Sequence, residues 1–89
     1  MKAQIRIMAT TIHELKNWFL KGKTKGATHM IIVCSTFDWE DFPIYVMPSQ
    51  DVKKEFDLQS KKEMQKIMEV YNLNKDISAQ LNQFRTMEF

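Results

Sequence analysis

Between residues 37 and 45 the chain reads Phe-Asp-Trp-Glu-Asp-Phe-Pro-Ile-Tyr, with three carboxylates interleaved among four aromatic rings. This run suits two kinds of chemistry. Trp39, Phe42 and Tyr45 offer π faces beside hydrogen-bond acceptors, and a purine fits between an aromatic plane and a carboxylate that accepts from its exocyclic amine. Asp38, Glu40 and Asp41 are also hard oxygen donors of the type that hold Mg²⁺ or Ca²⁺. Arg85 or the lysines near residue 21 would then meet phosphate groups. The plainer reading is a solvated hairpin tip, whose acids keep a strand end soluble and whose aromatics belong to a core or an interface. The expected ligand-binding set is therefore Asp38, Trp39, Glu40, Asp41, Phe42, Tyr45 and Arg85. No catalytic residue, metal site or cofactor is expected.

Catalytic signatures are absent from the sequence. It contains no phosphate-binding GxxxxGK[ST] loop, no GxGxxG and no HExxH. Cys34 is the single cysteine, and His13 and His29 are the two histidines, too few and too badly spaced for zinc. Cys34 and His29 stand five residues apart on a strand and so point to opposite faces, which argues against a nucleophile and base. A small hydrolase using Asp38, Glu40 or Asp41 with a metal is the weakest of the functional alternatives.

These residues need elements to hold them. Thr28 to Thr36 is rich in β-branched types and apolar on both faces, as expected of a strand covered on both sides. A shorter return strand runs from Pro43 to Met47, with Pro43 at a strand start or an edge because it has no N–H to donate. Phe37 to Phe42 forms the connecting loop, too long for a two-residue turn. A two-stranded hairpin is marginal by itself. Either the alternating residues 1–9 supply a third strand or a second protomer completes the sheet, so a homo-oligomer is expected.

Before the hairpin, Thr11 and Glu14 form a capping box that opens a helix with Ile12, Leu15, Trp18, Phe19 and Gly22 on its apolar face. Gly26 ends it. Gly22 either permits close packing or ends the helix early. After the hairpin, Ser49 caps a short helix reaching about Phe56. Ser60 and Glu63 then open another helix with Met64, Ile67, Met68 and Tyr71 in a stripe. Asn74 caps a last helix carrying Ile77, Leu81 and Phe84. The fold class is α+β in a single domain over residues 1–89: a central hairpin, an N-terminal helix and two to three C-terminal helices.

Composition narrows the function classes. The chain has 89 residues, is 44% hydrophobic and carries only two Gly and two Pro, which describes one folded domain with a modest core. A net charge of +2 and the lack of a recognition-helix motif argue against DNA binding. Lys16, Lys21, Lys23 and Lys25 read as a solvated helix face. No apolar run is long enough to span a bilayer. A single cysteine and no signal-peptide pattern fit a cytoplasmic protein.

The run Gly26-Ala27-Thr28-His29-Met30, then Val33-Cys34, then Thr36 through Val46 resembles a family of short proteins of unknown function from bacteriophages and bacterial genomes. Leu15, Trp18 and Phe19 and the stretch from Met64 to Tyr71 share that resemblance, which covers most of the chain from about residue 11. Relatives often carry an acid at the position of Ser35. The resemblance implies a phage-type accessory protein and a host-cytoplasmic setting, and it implies no chemistry. Together with the aromatic-acidic run, it leads to an expected role in non-enzymatic binding: sequestering a nucleotide-like immune signal. The alternative is a protein inhibitor that docks on a host defence enzyme.

Overall fold

The apolar run after Thr28 forms β1 (His29–Ser35) in the computed structural model, which describes residues 11–83 and 85–89. Strands β2 (Asp41–Val46) and β3 (Gln65–Asn72) flank it, both antiparallel, in the order β2-β1-β3. A central strand covered on both faces needs continuous apolar character, and Met30, Ile31, Ile32 and Val33 are all fully buried.

Alternate residues of β1 feed two cores. Met30 and Ile32 join Leu15, Phe19, Tyr71, Leu73 and Leu81 under α1 (Ile12–Lys25) and α3 (Ile77–Leu81). Ile31 and Val33 join Val46 and Val70 beneath α2 (Val52–Ser60), with Phe42, Ile44, Phe56 and Met87 around them. The α+β class holds, with one helix before the hairpin and two after it.

The N-terminal helix forms as its sequence dictates. The Thr11 hydroxyl accepts from Glu14 N, the Glu14 carboxylate accepts from Thr11 N, and Gly26 closes the helix at φ 82°. Gly22 continues the helix and permits close packing: a Cβ there would lie 2.6 Å from Leu73 Cδ1 and 2.8 Å from the Tyr45 ring. Trp18 is half-buried, while Phe19 is in the core.

The third strand comes from an unexpected place. The stripe Met64, Ile67, Met68, Tyr71 is not a helix, and Ser60 and Glu63 form no capping box. Ser60 is the last residue of α2, Met64 turns the chain at φ 63°, and Gln65–Asn72 is β3. The cause is a bulge. Val33 pairs with Ile67 and Ile32 with Glu69, so Met68 is an extra residue in the ladder. It puts Ile67 and Val70, three apart, into the same core, and the strand thereby imitates helical spacing. Pairing also supplies β1 with a second ladder for backbone groups that burial would otherwise strand.

Smaller corrections concern caps and ends. Asp51, not Ser49, caps α2, accepting from Lys53 N at 2.9 Å, and the helix runs from residue 52 to residue 60. Asp76, not Asn74, caps α3. The strand expected in residues 1–9 and the place of Phe84 on the last helix lie outside the described residues.

Residues 86–88 lie along the outer side of β3. Val70 N donates to Thr86 O at 2.8 Å, and Glu88 N donates to Val70 O at 3.0 Å. Buried Glu69 accepts from Tyr71 OH at 2.8 Å and from Thr86 N at 3.3 Å. At the other side, β2 has no further strand beside it among the described residues. Ser35 N donates to Glu40 O, which fixes the alternation of the ladder. Pro43, opposite Ile32, therefore sits at a non-bonded position with its nitrogen turned outward.

Candidate functional site

The link between β1 and β2 is shorter than the expected loop. Asp41 and Phe42 already belong to β2, leaving Thr36 to Glu40 as the turn. Its own residues hold it. Trp39 N donates to Ser35 O at 2.7 Å, Phe37 N to Ser35 Oγ at 3.2 Å and Glu40 N to Asp38 Oδ1 at 3.1 Å. Thr36 N donates to Met64 O at 2.8 Å, tying the turn to the start of β3. Asp38 thus has a structural task, since an aspartate that accepts from the backbone two residues on is a common turn device.

The turn presents its aromatics to solvent. Phe37 is 79% exposed and Trp39 is 61% exposed, and Met64, whose carbonyl accepts from Thr36 N, is 58% exposed. Trp39 has φ 60°, the left-handed region that bulky residues avoid. Lys66 Nζ lies 5.9 Å from the Trp39 ring centroid.

The expected ligand set does not converge within one protomer. Asp38, Trp39 and Glu40 share the turn. Asp41 faces Cys34 across the ladder. The Cys34 thiol donates to Ser35 O at 3.6 Å. Burial, and after it the neighbouring Asp41 carboxylate, push its pKa up, with Lys66 opposing. Phe42 pairs with Val33 and packs into the core beneath α2. Tyr45 packs into the opposite core and donates its hydroxyl to Trp18 O at 2.7 Å. Five residues of strand separate it from Glu40, roughly 17 Å. Arg85 lies beyond β3, about 14 Å of strand spacings away from β2. Among the described residues, no three of His, Cys, Asp or Glu stand close enough to hold a metal ion.

The sequence reading misses the place of Met64 and Lys66 because it puts both on a helix, whereas Met64 turns the chain and Lys66 lies in β3. Their signal was the β-branched and aromatic run Ile67, Val70, Tyr71. It also passed over the flank of α1. There Lys16, Phe19, Leu20 and Lys23 face Lys75 to Ser78 across a cleft of about 400 Å³.

No protein-family model, curated protein or solved structure matches this chain. Among the described residues, no helix is long and apolar enough to cross a membrane.

Proposed function

We propose that this chain acts by non-enzymatic binding, docking its β1–β2 turn on the surface of another protein. The observation that carries this reading is Trp39. A left-handed backbone at a non-glycine residue costs roughly 1–2 kcal/mol, and glycine would make the same turn without that cost. The fold recovers little of it, because the indole stands in solvent. Retaining tryptophan there suits contact with something outside the chain. Tryptophan is among the residues that dominate interface energetics, and a turn already fixed by hydrogen bonds loses little freedom on docking. The exposed Phe37, Trp39 and Met64 are apolar groups available for contact, with Asp38, Glu40 and Lys66 as charged neighbours.

From the expected phage origin we further propose that the bound protein belongs to a host defence system and that the action is cytoplasmic. Sequestration of a nucleotide-like signal is the second reading. It requires copies of the chain to bring together Trp39, Tyr45 and Arg85, which one protomer keeps apart.

Affinity capture from a bacterial lysate tests the first reading. The wild-type chain retains a partner that both Trp39→Gly and the pair Asp38→Lys, Glu40→Lys lose. Retention by both variants sinks it. Light scattering combined with thermal unfolding against a nucleotide panel tests the second: a monomer unshifted by any nucleotide removes it.

A further inference from the structure

We propose that the cleft between α1 and the Lys75–Ser78 segment binds a phosphate ester carried on an apolar ring. The cleft lies beyond the Asn72 end of β3, at the opposite end of the sheet from the Thr36–Glu40 turn, and this inference does not rest on the docking role of that turn.

The arrangement follows from helical spacing. Lys16, Phe19, Leu20 and Lys23 occupy positions i, i+3, i+4 and i+7, so they form a single stripe on α1. The two lysines sit at its ends, their backbones about 10 Å apart along the helix axis. Between them is an apolar floor of Phe19 and Leu20, with Ile77 across the gap. Lys23 Nζ already lies 5.9 Å from the Phe19 ring centroid. Phe19 is anchored in the core at 4% exposed, while Leu20 stands 61% exposed at the lip. Leu20, Phe19 and Ile77 together give the cleft the apolar lining that suits an apolar ring.

Charge gives the polarity of the ligand. Lys16, Lys23 and Lys75 line the cleft against a single acid, Asp76. The Asp76 carboxylate is engaged as the cap of α3, accepting from Ala79 N at 3.3 Å. Lys75 is paired with Glu88 at 3.0 Å. Among the described residues, neither Lys16 nor Lys23 has a carboxylate within ion-pair distance. The helix dipole accounts for a lysine in the last turn such as Lys23, but not for Lys16 in the helix interior. Lysine ammonium groups are point-charge partners for phosphate. The volume lies within the range of small-molecule sites.

Binding is followed by amide chemical shifts during titration with 1-naphthyl phosphate, with 1-naphthol and inorganic phosphate as the separated halves. Shifts are expected at residues 16–23 and 75–78, with each half binding at least about tenfold more weakly than the ester. Lys16→Gln with Lys23→Gln should weaken the ester about tenfold. Lys61→Gln with Lys62→Gln, the same charge loss on a different segment, should leave it unchanged. Shifts confined to other residues overturn the proposal. So does equal binding by inorganic phosphate alone, or equal loss in both lysine pairs.

Discussion

The phenolic hydroxyl of Tyr45 donates to the backbone carbonyl of Trp18 at 2.7 Å, joining the outer strand β2 to the middle of α1. This is a long-range tie, beside which Lys25 Nζ lies 5.2 Å from the Tyr45 ring centroid, and burial pushes the phenol pKa up. Tyr45→Phe keeps the ring in the core and deletes only the donor. It should cost about 1 kcal/mol, lowering Tm by roughly 4–8 °C for a domain of this size. An unchanged Tm would mean the bond contributes nothing net.

Gly22 lets that tie form. Alanine is worth about 1 kcal/mol more than glycine inside a helix, so Gly22→Ala on an isolated helix would stabilise. Here the added methyl meets Leu73 Cδ1 at 2.6 Å and the Tyr45 ring at 2.8 Å. Overpacking of this kind costs about 1–3 kcal/mol. The expected net effect is a loss of roughly 1 kcal/mol, read as a lower denaturant midpoint. A higher midpoint would show that Leu73 yields freely.

Trp39→Gly separates folding from binding. The substitution removes about 1–2 kcal/mol of left-handed strain. It gives up about 0.5 kcal/mol of contact with Lys66 and adds about 0.5–1 kcal/mol of unfolded-state entropy. Stability should therefore stay within about 1 kcal/mol of wild type. A larger loss on thermal unfolding would assign Trp39 to the fold instead of to a partner.

His29 gives stability a pH dependence. Thr28 Oγ donates to Val46 O, so it accepts from His29 Nδ1–H at 2.9 Å. Burial holds the His29 pKa below its ordinary value; the Phe89 backbone opposes this and Lys75 reinforces it. The unfolded chain then binds the proton more readily than the folded one. The contribution of neutral His29 is complete above the unfolded value of about 6.5 and is lost as pH falls through the lower folded value. His29→Gln should flatten this part of the stability–pH curve. A curve equally steep in the variant would place the titrating group elsewhere.

Cys34 should resist chemistry. Its thiol is buried, faces Asp41 and has a raised pKa, so little thiolate is present near neutral pH. Iodoacetamide should label the native chain far more slowly than the unfolded chain, and Asp41→Asn should accelerate native labelling. Equal rates for native and unfolded protein would contradict the burial of this thiol.

The parts of the fold written locally were legible. Thr11, Glu14 and Gly26 mark both ends of α1 through backbone groups within a few residues of each, and the β-branched run of β1 needs no context to read as a buried strand. β3 was illegible because its bulge at Met68 shifts the inward-facing residues to spacings of three, and only pairing with β1 decides between helix and strand. Loss of β3 hid Met64 and Lys66 beside the turn. The acids and Trp39 of the turn were visible in composition, but the separation of Tyr45 and Arg85 from them depends on strand order. Lys16 and Lys23 look like any solvated helix face until Lys75 and Ile77 are brought opposite.

Pro43 has a consequence for the chain at high concentration. The outward backbone positions of β2 are Asp41, Pro43 and Tyr45, and the middle one has no proton to offer an incoming strand. A second chain adding there would lose a hydrogen bond at the centre of the new ladder. Residues 86–88 already lie along the opposite side of the sheet. Among the described residues, neither side is therefore a good template for repeated strand addition, and the mixed helix-and-strand chain resists growth edge to edge.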